Sequence, residues 1–121
     1  PYISKMADKL VSAERPTNAG LAELEACSDA AARLMKLLAS QPRLILLCRL
    51  IEGECPVGEL AEYVGLAQSA ASQHLAKLRA EGVVDTRREG QTIYYRLIDP
   101  AARQLIGALR DIYGRPAVSR S

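Results

Sequence analysis

Apolar residues recur at helical spacing through the first half of the chain. The first predicted helix opens near Asn18, a candidate N-cap, and ends at the Ser40-Gln41-Pro42 run. A second helix opens at Pro42, which suits a first turn, and stops at Glu52-Gly53. The predicted inward positions are Leu21, Leu24, Ala31, Leu34, Met35 and Leu38, then Leu44, Leu47, Cys48 and Ile51. Both helices are therefore predicted to bury one face.

Two further helices are predicted around a tight connection. Residues 57–64 form the third, and Gly65 stands where a left-handed C-terminal residue is expected. Residues 68–80 form the fourth, with Ala71, Leu75 and Leu78 inward. Ala67 occupies its N-cap position and lacks the side-chain acceptor that Ser or Thr supplies, worth about 1 kcal/mol. The fourth helix is thus expected to begin without a side-chain cap.

The apolar period changes to that of a strand after residue 82. Residues 83–88 and 92–97 predict a β-hairpin that turns at Glu89-Gly90. Asp99-Pro100 opens a last helix, which Gly114 and Pro116 close. Its inward positions are predicted to be Leu105, Ile106, Leu109 and Ile112. The prediction is a mainly α domain over 18–114 in the order α-α-α-α-β-β-α, with a flexible arm at 1–17 and a flexible tail at 115–121.

Composition supports a small, helix-rich protein. The chain has 121 residues and contains neither Phe nor Trp, so Leu, Ile, Val and Ala must build the core. The longest apolar run, residues 44–48, is far shorter than the roughly 20 residues of a membrane span. Three cysteines without framework spacing favour a reducing compartment, so a cytoplasmic protein is expected. A net charge of +2 decides nothing about partners.

The element order is typical of a winged helix-turn-helix that binds double-stranded DNA. Two short helices meet at a Gly-containing turn, the second is polar on one side, and a basic hairpin follows. Amide, hydroxyl and imidazole groups can pair with base edges in the major groove, and cations suit phosphates. The residues predicted to approach bases are Gln68, Ser69, Ser72, Gln73 and His74, and those predicted to hold the backbone are Lys77, Arg87, Arg88 and Gln91. Arg79 and Arg96 are further candidates for backbone contacts.

Other functions remain open at this point. A polar helix face is equally compatible with a solvated surface, and winged helices also serve as protein-interaction modules. An enzyme is not expected, since the sequence has no phosphate-binding loop, no nucleophile elbow and a single histidine, His74, with no evident catalytic partner. The polar recognition helix followed by a basic wing favours DNA over a protein partner.

The run VGELAEYVGLAQSAASQHLAKLRAEGVVDTRREGQTIYYRL, residues 57–97, resembles the DNA-binding half of the ArsR/SmtB family of bacterial repressors. The preceding LLASQPRLILLCRL resembles the family's second-helix region, so about two-thirds of the chain is covered. The resemblance implies a homodimer formed mainly through the first and last helices. It also implies binding to an imperfect inverted repeat, with recognition helices about 34–36 Å apart, and release by an inducer.

The chain lacks the metal-ligand residues of the metal-sensing members of the family. Those members carry Cys-x-Cys at the start of the third helix, or Asp, His and Glu ligands on the last helix. The matching positions of the pair are Pro56 and Gly58, and the last predicted helix has no histidine. We therefore expect no metal and no cofactor.

A second branch of the family pairs a cysteine of the second helix with one near the end of the last helix to sense reactive sulfur. Cys48 matches the first position, whereas Gly114 stands at the second. Cys27 or Cys55 is a candidate substitute partner, and the alternative for Cys48 is a core residue. Glycine at the second position also resembles repressors of symbiosis and virulence genes without an identified inducer. Thiol sensing through Cys48 and repression without a thiol switch both remain open.

Overall fold

The computed structural model describes residues 18–114, so the predicted arm and tail lie outside the described residues. Its elements are α1 Asn18–Ala26, α2 Ser28–Leu38, α3 Gln41–Ile51, β1 Cys55–Pro56, α4 Val57–Val64, α5 Gln68–Ala80, β2 Val84–Glu89, β3 Thr92–Leu97 and α6 Pro100–Tyr113. The chain divides into two compact units between Lys36 and Leu37. Among residues 18–114, no helix has the length and apolarity needed to cross a membrane. The domain predicted over 18–114 stays a prediction.

The first predicted helix is two helices, α1 and α2, separated by Cys27. The Cys27 N–H is shared between the carbonyls of Glu23 and Leu24, at 3.1 Å each. The hydroxyl of Ser28 donates to the Glu25 carbonyl at 2.9 Å. A serine hydroxyl that bonds back to the preceding turn competes with the backbone ladder and favours a bend at this point. The prediction of one continuous helix is therefore wrong at this residue.

The apolar stripe predicted to be inward on the first helix is largely exposed in this chain. Leu21, Leu24 and Met35 retain 55%, 59% and 58% of their accessible surface, whereas Leu38 is buried. A helical period shows which residues share a face but not whether that face has a partner within the same chain. The smaller unit thus presents leucine and methionine side chains at its surface.

Helix α3 has the predicted proline in its first turn and is capped by Ser40, whose hydroxyl accepts the Arg43 N–H, but it buries a different face from the one predicted. Its fully buried residues are Leu46, Leu47 and Leu50, while Leu44, Cys48 and Ile51 are half-buried. The segment is apolar around most of its circumference, so the period alone cannot select the inward face. Of the predicted stripe, only Leu47 is buried, and the other three positions form a second, partly open apolar face.

Helix α5 buries the residues that the sequence predicts, and α4 packs beside it. Leu60 and Ala61 are buried on α4, and Ala71, Leu75 and Leu78 are completely buried on α5. On α6, the Asp99 carboxylate accepts the Ala102 N–H at 2.9 Å, which confirms the predicted cap. Only Ala102 and Ile106 are buried on that helix. The predicted inward side is wrong for Leu105 and Leu109, which are half-buried, and for the exposed Ile112, because α6 meets the core along a narrower stripe.

The hairpin is confirmed and is part of a three-stranded antiparallel sheet in the order β1-β3-β2. The register pairs Glu89 with Thr92, so Gly90 and Gln91 form the turn, and Gly90 adopts a φ of +65° that favours glycine. Strand β1 was not predicted. It pairs Cys55 with Tyr95 and Pro56 with Tyr94. Two residues, one of them proline, are too short for any alternation to show in the sequence.

The absent cap of α5 generates a stability prediction. Ala67 has the extended backbone of a cap, with φ −62° and ψ 148°, but no side-chain hydrogen bond. Ala67→Ser is expected to raise the free energy of unfolding by about 0.5–1 kcal/mol because the hydroxyl can accept a first-turn N–H. Urea denaturation at fixed protein concentration measures this change. Asp99→Ala is the matched control and should lower it by about 1 kcal/mol; an unchanged midpoint for Ala67→Ser alone would contradict the expected cap.

Candidate DNA interface

The turn between α4 and α5 sets the direction of the candidate recognition helix. Gly65 adopts φ +78°, a left-handed conformation that glycine tolerates without strain. Its N–H donates to the Ala61 carbonyl at 2.9 Å, and the N–H of Leu66 donates to the same carbonyl at 3.0 Å. These bonds close α4, and α5 begins after three further residues. Helix α5 can therefore pack against α4 and expose its remaining face.

The exposed face of α5 carries most of the predicted base-contacting groups. Gln68, Ser69 and Gln73 are exposed, and Ser72 is half-buried beside the completely buried Ala71. Lys77 and Arg79 are exposed in the last turn. The first-turn N–H groups of a helix have no intrahelical partner and favour an anionic group such as phosphate. The helix thus combines hydrogen-bonding side chains near its N-terminus with cations near its C-terminus.

His74 is directed away from this exposed face. Its Nδ1 lies 3.4 Å from Nη1 of Arg43, and the same guanidinium donates from Nε to the Leu37 carbonyl at 2.6 Å. Because arginine has only donors, this contact is a hydrogen bond in the tautomer whose Nδ1 accepts. The half-buried ring therefore joins α5 to the start of α3. Its predicted role as a base contact stays a prediction.

The two wing arginines lie in different surroundings. Nε of Arg87 is 2.8 Å from a carboxylate oxygen of Glu54, Nη1 is 3.2 Å from Glu89, and the guanidinium lies 4.5 Å from the centre of the Tyr94 ring. Among residues 18–114, the exposed Arg88 forms no ion pair, and it borders an open hollow with Gly90 and Gln91. Arg88 and Gln91 are thus free to meet a ligand, whereas Arg87 is already held.

The contacts of Arg87 stabilise the charged forms of the guanidinium and of its carboxylate partners. The hydrogen bond from Arg87 lowers the pKa of the Glu54 carboxyl, and the two carboxylates raise the pKa of Arg87. Arg96 is also paired, with Nη2 3.7 Å from Asp85. Glu54 was missed by sequence reasoning because β1, which it precedes, shows no pattern of its own. The spacing of 33 residues between Glu54 and Arg87 has no local signature either.

The three candidate sensing cysteines are free thiols in different environments. Cys27 is exposed, Cys48 half-buried and Cys55 buried. Burial raises the pKa of Cys48, opposed by the charge of Arg110, and burial also raises the pKa of Cys55. Sγ of Cys55 lies 3.6 Å from the Pro56 carbonyl oxygen. Cys55 thus lies in the core, whereas Cys48 is half-buried, and both hypotheses for Cys48, a core residue and a sensing thiol, stay predictions.

Cys48 borders an apolar hollow of about 310 Å³ between α3 and α6. The hollow is lined by Leu44, Cys48, Ile106, Leu109, Arg110, Tyr113 and Gly114. At Gly114 an added Cβ would lie 2.7 Å from the Arg110 carbonyl oxygen, so a side chain there requires the helix end to shift. Within the described residues, no group of three or more His, Cys, Asp or Glu side chains is arranged to hold a metal.

The helix-turn-helix and the three-stranded wing define a winged helix-turn-helix protein. The sequence model of the family described as "Bacterial regulatory protein, arsR family" matches residues 40–86. The nodulation protein NolR of Rhizobium meliloti is 49% identical over 87 residues, which are 72% of this chain and 71% of NolR. The chain belongs to the arsR family of bacterial transcriptional regulators.

Other relatives agree with this assignment. The transcriptional activator HlyU of Vibrio cholerae is 44% identical over 93 residues, 77% of this chain and 86% of HlyU. The structure of reduced HlyU superposes with a TM-score of 0.72 at 44% identity and covers 75% of this chain and 96% of that one. The biofilm growth-associated repressor of Xylella fastidiosa is 43% identical over 91 residues, 75% of this chain and 80% of the repressor.

A homodimeric winged helix-turn-helix DNA-binding domain from Mycobacterium bovis also has a similar structure, with a TM-score of 0.64 at 34% identity, over 73% of this chain and 82% of that one. The predicted family and the winged helix-turn-helix fold are therefore confirmed.

The cysteine environments generate a reactivity prediction. With iodoacetamide at about pH 7.5, Cys27 is expected to be alkylated first, Cys48 more slowly and Cys55 only on unfolding. The thiolate is the reactive form, so a raised pKa lowers the amount of it at Cys48 and Cys55, and burial keeps the reagent away. Mass spectrometry of tryptic peptides over time measures the order. Labelling of Cys55 in the folded protein as fast as that of Cys27 would contradict these environments.

Proposed function

We propose that this protein is a repressor that binds an inverted-repeat operator as a homodimer. The observation that carries the proposal is helix α5, which buries Ala71, Leu75 and Leu78 completely and exposes amides and hydroxyls beside a basic wing. A helix of this kind fits the major groove, where such groups discriminate between base pairs. Relatives include an activator and a repressor. A protein represses transcription when it occupies promoter DNA, and the surface of α5 and the wing is suited to bind DNA.

The side chains divide into base contacts and backbone contacts. Gln68, Ser69 and Gln73 are exposed on α5, and the half-buried Ser72 lies between them. We assign these four residues to the base edges. Lys77, Arg88 and Gln91 suit phosphates because they are exposed at the end of α5 and at the wing turn.

Exposed apolar side chains support the homodimer. In the smaller unit, Leu21, Leu24 and Met35 are more than half exposed. In the larger unit, Ile112 and Tyr113 of α6 retain 65% and 81% of their surface. Large apolar side chains exposed within each unit favour burial against a second chain. A two-fold axis between two copies would present two recognition helices to half-sites about 34–36 Å apart, one turn of B-DNA.

We place the protein in the cytoplasm because bacterial DNA, its proposed ligand, is found there. We assign it no catalytic activity, in keeping with a family of transcriptional regulators.

A thiol-responsive repressor is the second candidate, favoured by the half-buried Cys48 at the rim of the apolar hollow. It requires a partner other than residue 114, which is glycine. Slow but measurable alkylation of Cys48 in the folded protein is its first requirement.

Gln73→Ala tests the assignment of base contacts. Loss of the amide removes hydrogen bonds to a base edge, so affinity for the preferred operator should fall by about 1–3 kcal/mol while affinity for unrelated DNA stays nearly constant. Fluorescence anisotropy on an operator series with single base-pair changes measures both. An equal loss on all sequences would show that Gln73 does not discriminate between bases.

Arg88→Ala tests the assignment of backbone contacts. Removing one phosphate contact should weaken binding to all sequences alike and reduce the slope of log affinity against log salt concentration by about 1. Titrations across a range of salt concentrations give the slope. A sequence-dependent loss with an unchanged slope would reverse the division of roles between α5 and the wing.

A further inference from the structure

We propose that Glu54, which lies outside both the helix-turn-helix and the hairpin, is a positioning residue that fixes the wing through Arg87. The inference rests on the proposed DNA binding and deepens it, since it divides the two adjacent wing arginines between two tasks. Arg87 holds the wing to the body of the protein. Arg88 is left to contact the DNA backbone.

Strand alternation places the two arginines on opposite faces of the sheet. Successive side chains of a strand point to opposite sides, and residues paired across an antiparallel ladder share a side. Arg88 therefore shares a face with the buried Val84, Leu97 and Cys55, which is the face packed against the helices. Arg87 lies on the outer face, opposite Tyr94. Of the two arginines, Arg88 is the one on the side of the wing that faces the helices.

The Arg87 side chain crosses the sheet on that outer face. It starts on β2, passes over the Tyr94 ring of β3 at 4.5 Å from the ring centre, and ends 2.8 Å from Glu54, just before β1. The guanidinium therefore links all three strands with one side chain. Cation–π attraction to Tyr94 and the ion pair with Glu54 act on the same group.

This link matters because it lies beyond the part of the hairpin that the core holds. The buried Val84 and Leu97 fix the base of the hairpin, and Arg87 lies further along β2, where the strand is exposed. Strand β1 offers only two residues for pairing, Cys55 and Pro56, and proline has no N–H to donate. The contact of Arg87 with Glu89 lies within β2 itself and cannot anchor the hairpin. Glu54 is the carboxylate of this cluster that connects the wing to the rest of the protein.

The opposite role for Arg87 would be a phosphate contact that Glu54 holds back until DNA arrives. The two roles predict opposite signs. If Glu54 restrains Arg87, its removal frees a cation and should tighten DNA binding. If Glu54 positions the wing, its removal should weaken DNA binding, even though deleting a negative charge near a polyanion favours association.

The experiment compares Glu54→Ala with two variants that delete the same charge. Glu89→Ala removes the other partner of Arg87 but leaves the anchor, and Glu62→Ala removes an exposed carboxylate that forms no ion pair within residues 18–114. We expect Glu54→Ala to weaken operator binding about two- to fivefold, a modest loss because a solvent-exposed ion pair contributes little by itself. Neither control should weaken it. Glu54→Gln, which keeps an acceptor oxygen, should fall between wild type and Glu54→Ala.

Coupling to Arg87 separates positioning from a general loss of stability. In an Arg87→Gln background, Glu54→Ala should have no further effect on operator affinity, because the group through which it acts is gone. Thermal unfolding of every variant provides the check on folding. Tighter binding by Glu54→Ala, or an undiminished effect without Arg87, would overturn the inference. Failure of the wild-type protein to bind DNA would instead overturn the proposed function.

Discussion

The burial of one side of α5 is the constraint on which the rest of the interface depends. Ala71, Leu75 and Leu78 have no accessible surface, and their spacing places them on a single helical stripe. Truncating a buried leucine typically costs about 2–5 kcal/mol, so this side has no freedom to turn outward. Gln68, Ser69 and Gln73 are consequently exposed, whatever their own preferences. The polar face is a result of how the apolar face packs.

Other parts of the structure fix this helix in relation to its surroundings. The left-handed Gly65 closes α4 and lets α5 follow after three residues. The contact between Arg43 and His74 ties α5 to the start of α3. On the far side, the Arg87 guanidinium spans the sheet to Glu54 and relates the wing to the body. Contacts that hold α5 and the wing at one separation would suit binding to DNA, where backbone contacts set the register of a protein along the duplex.

Much of this arrangement could be predicted because its causes are local. Gly65 is a C-terminal signal, Asp99-Pro100 is a capping pair, and the alternation after residue 82 requires only neighbouring residues to appear. The buried side of α5 was predicted because its polar residues leave one apolar stripe. In α3 the residues Leu44 to Cys48 are all apolar, so several faces were equally suitable and only packing could choose Leu46, Leu47 and Leu50. Strand β1 and the Glu54–Arg87 pair depend on residues far apart in sequence, which no local pattern records.

The most direct test of the account is to select duplexes from a random DNA pool with the wild-type protein and then measure affinity, stoichiometry and salt dependence on the selected sequence. A dimeric repressor should select an inverted repeat with half-sites about one helical turn apart. Two chains should bind each operator, and the affinity should fall steeply with salt while still discriminating against unrelated DNA. Failure to enrich any sequence, together with salt-insensitive binding to a protein partner, would contradict DNA recognition by α5 and favour a protein-interaction module.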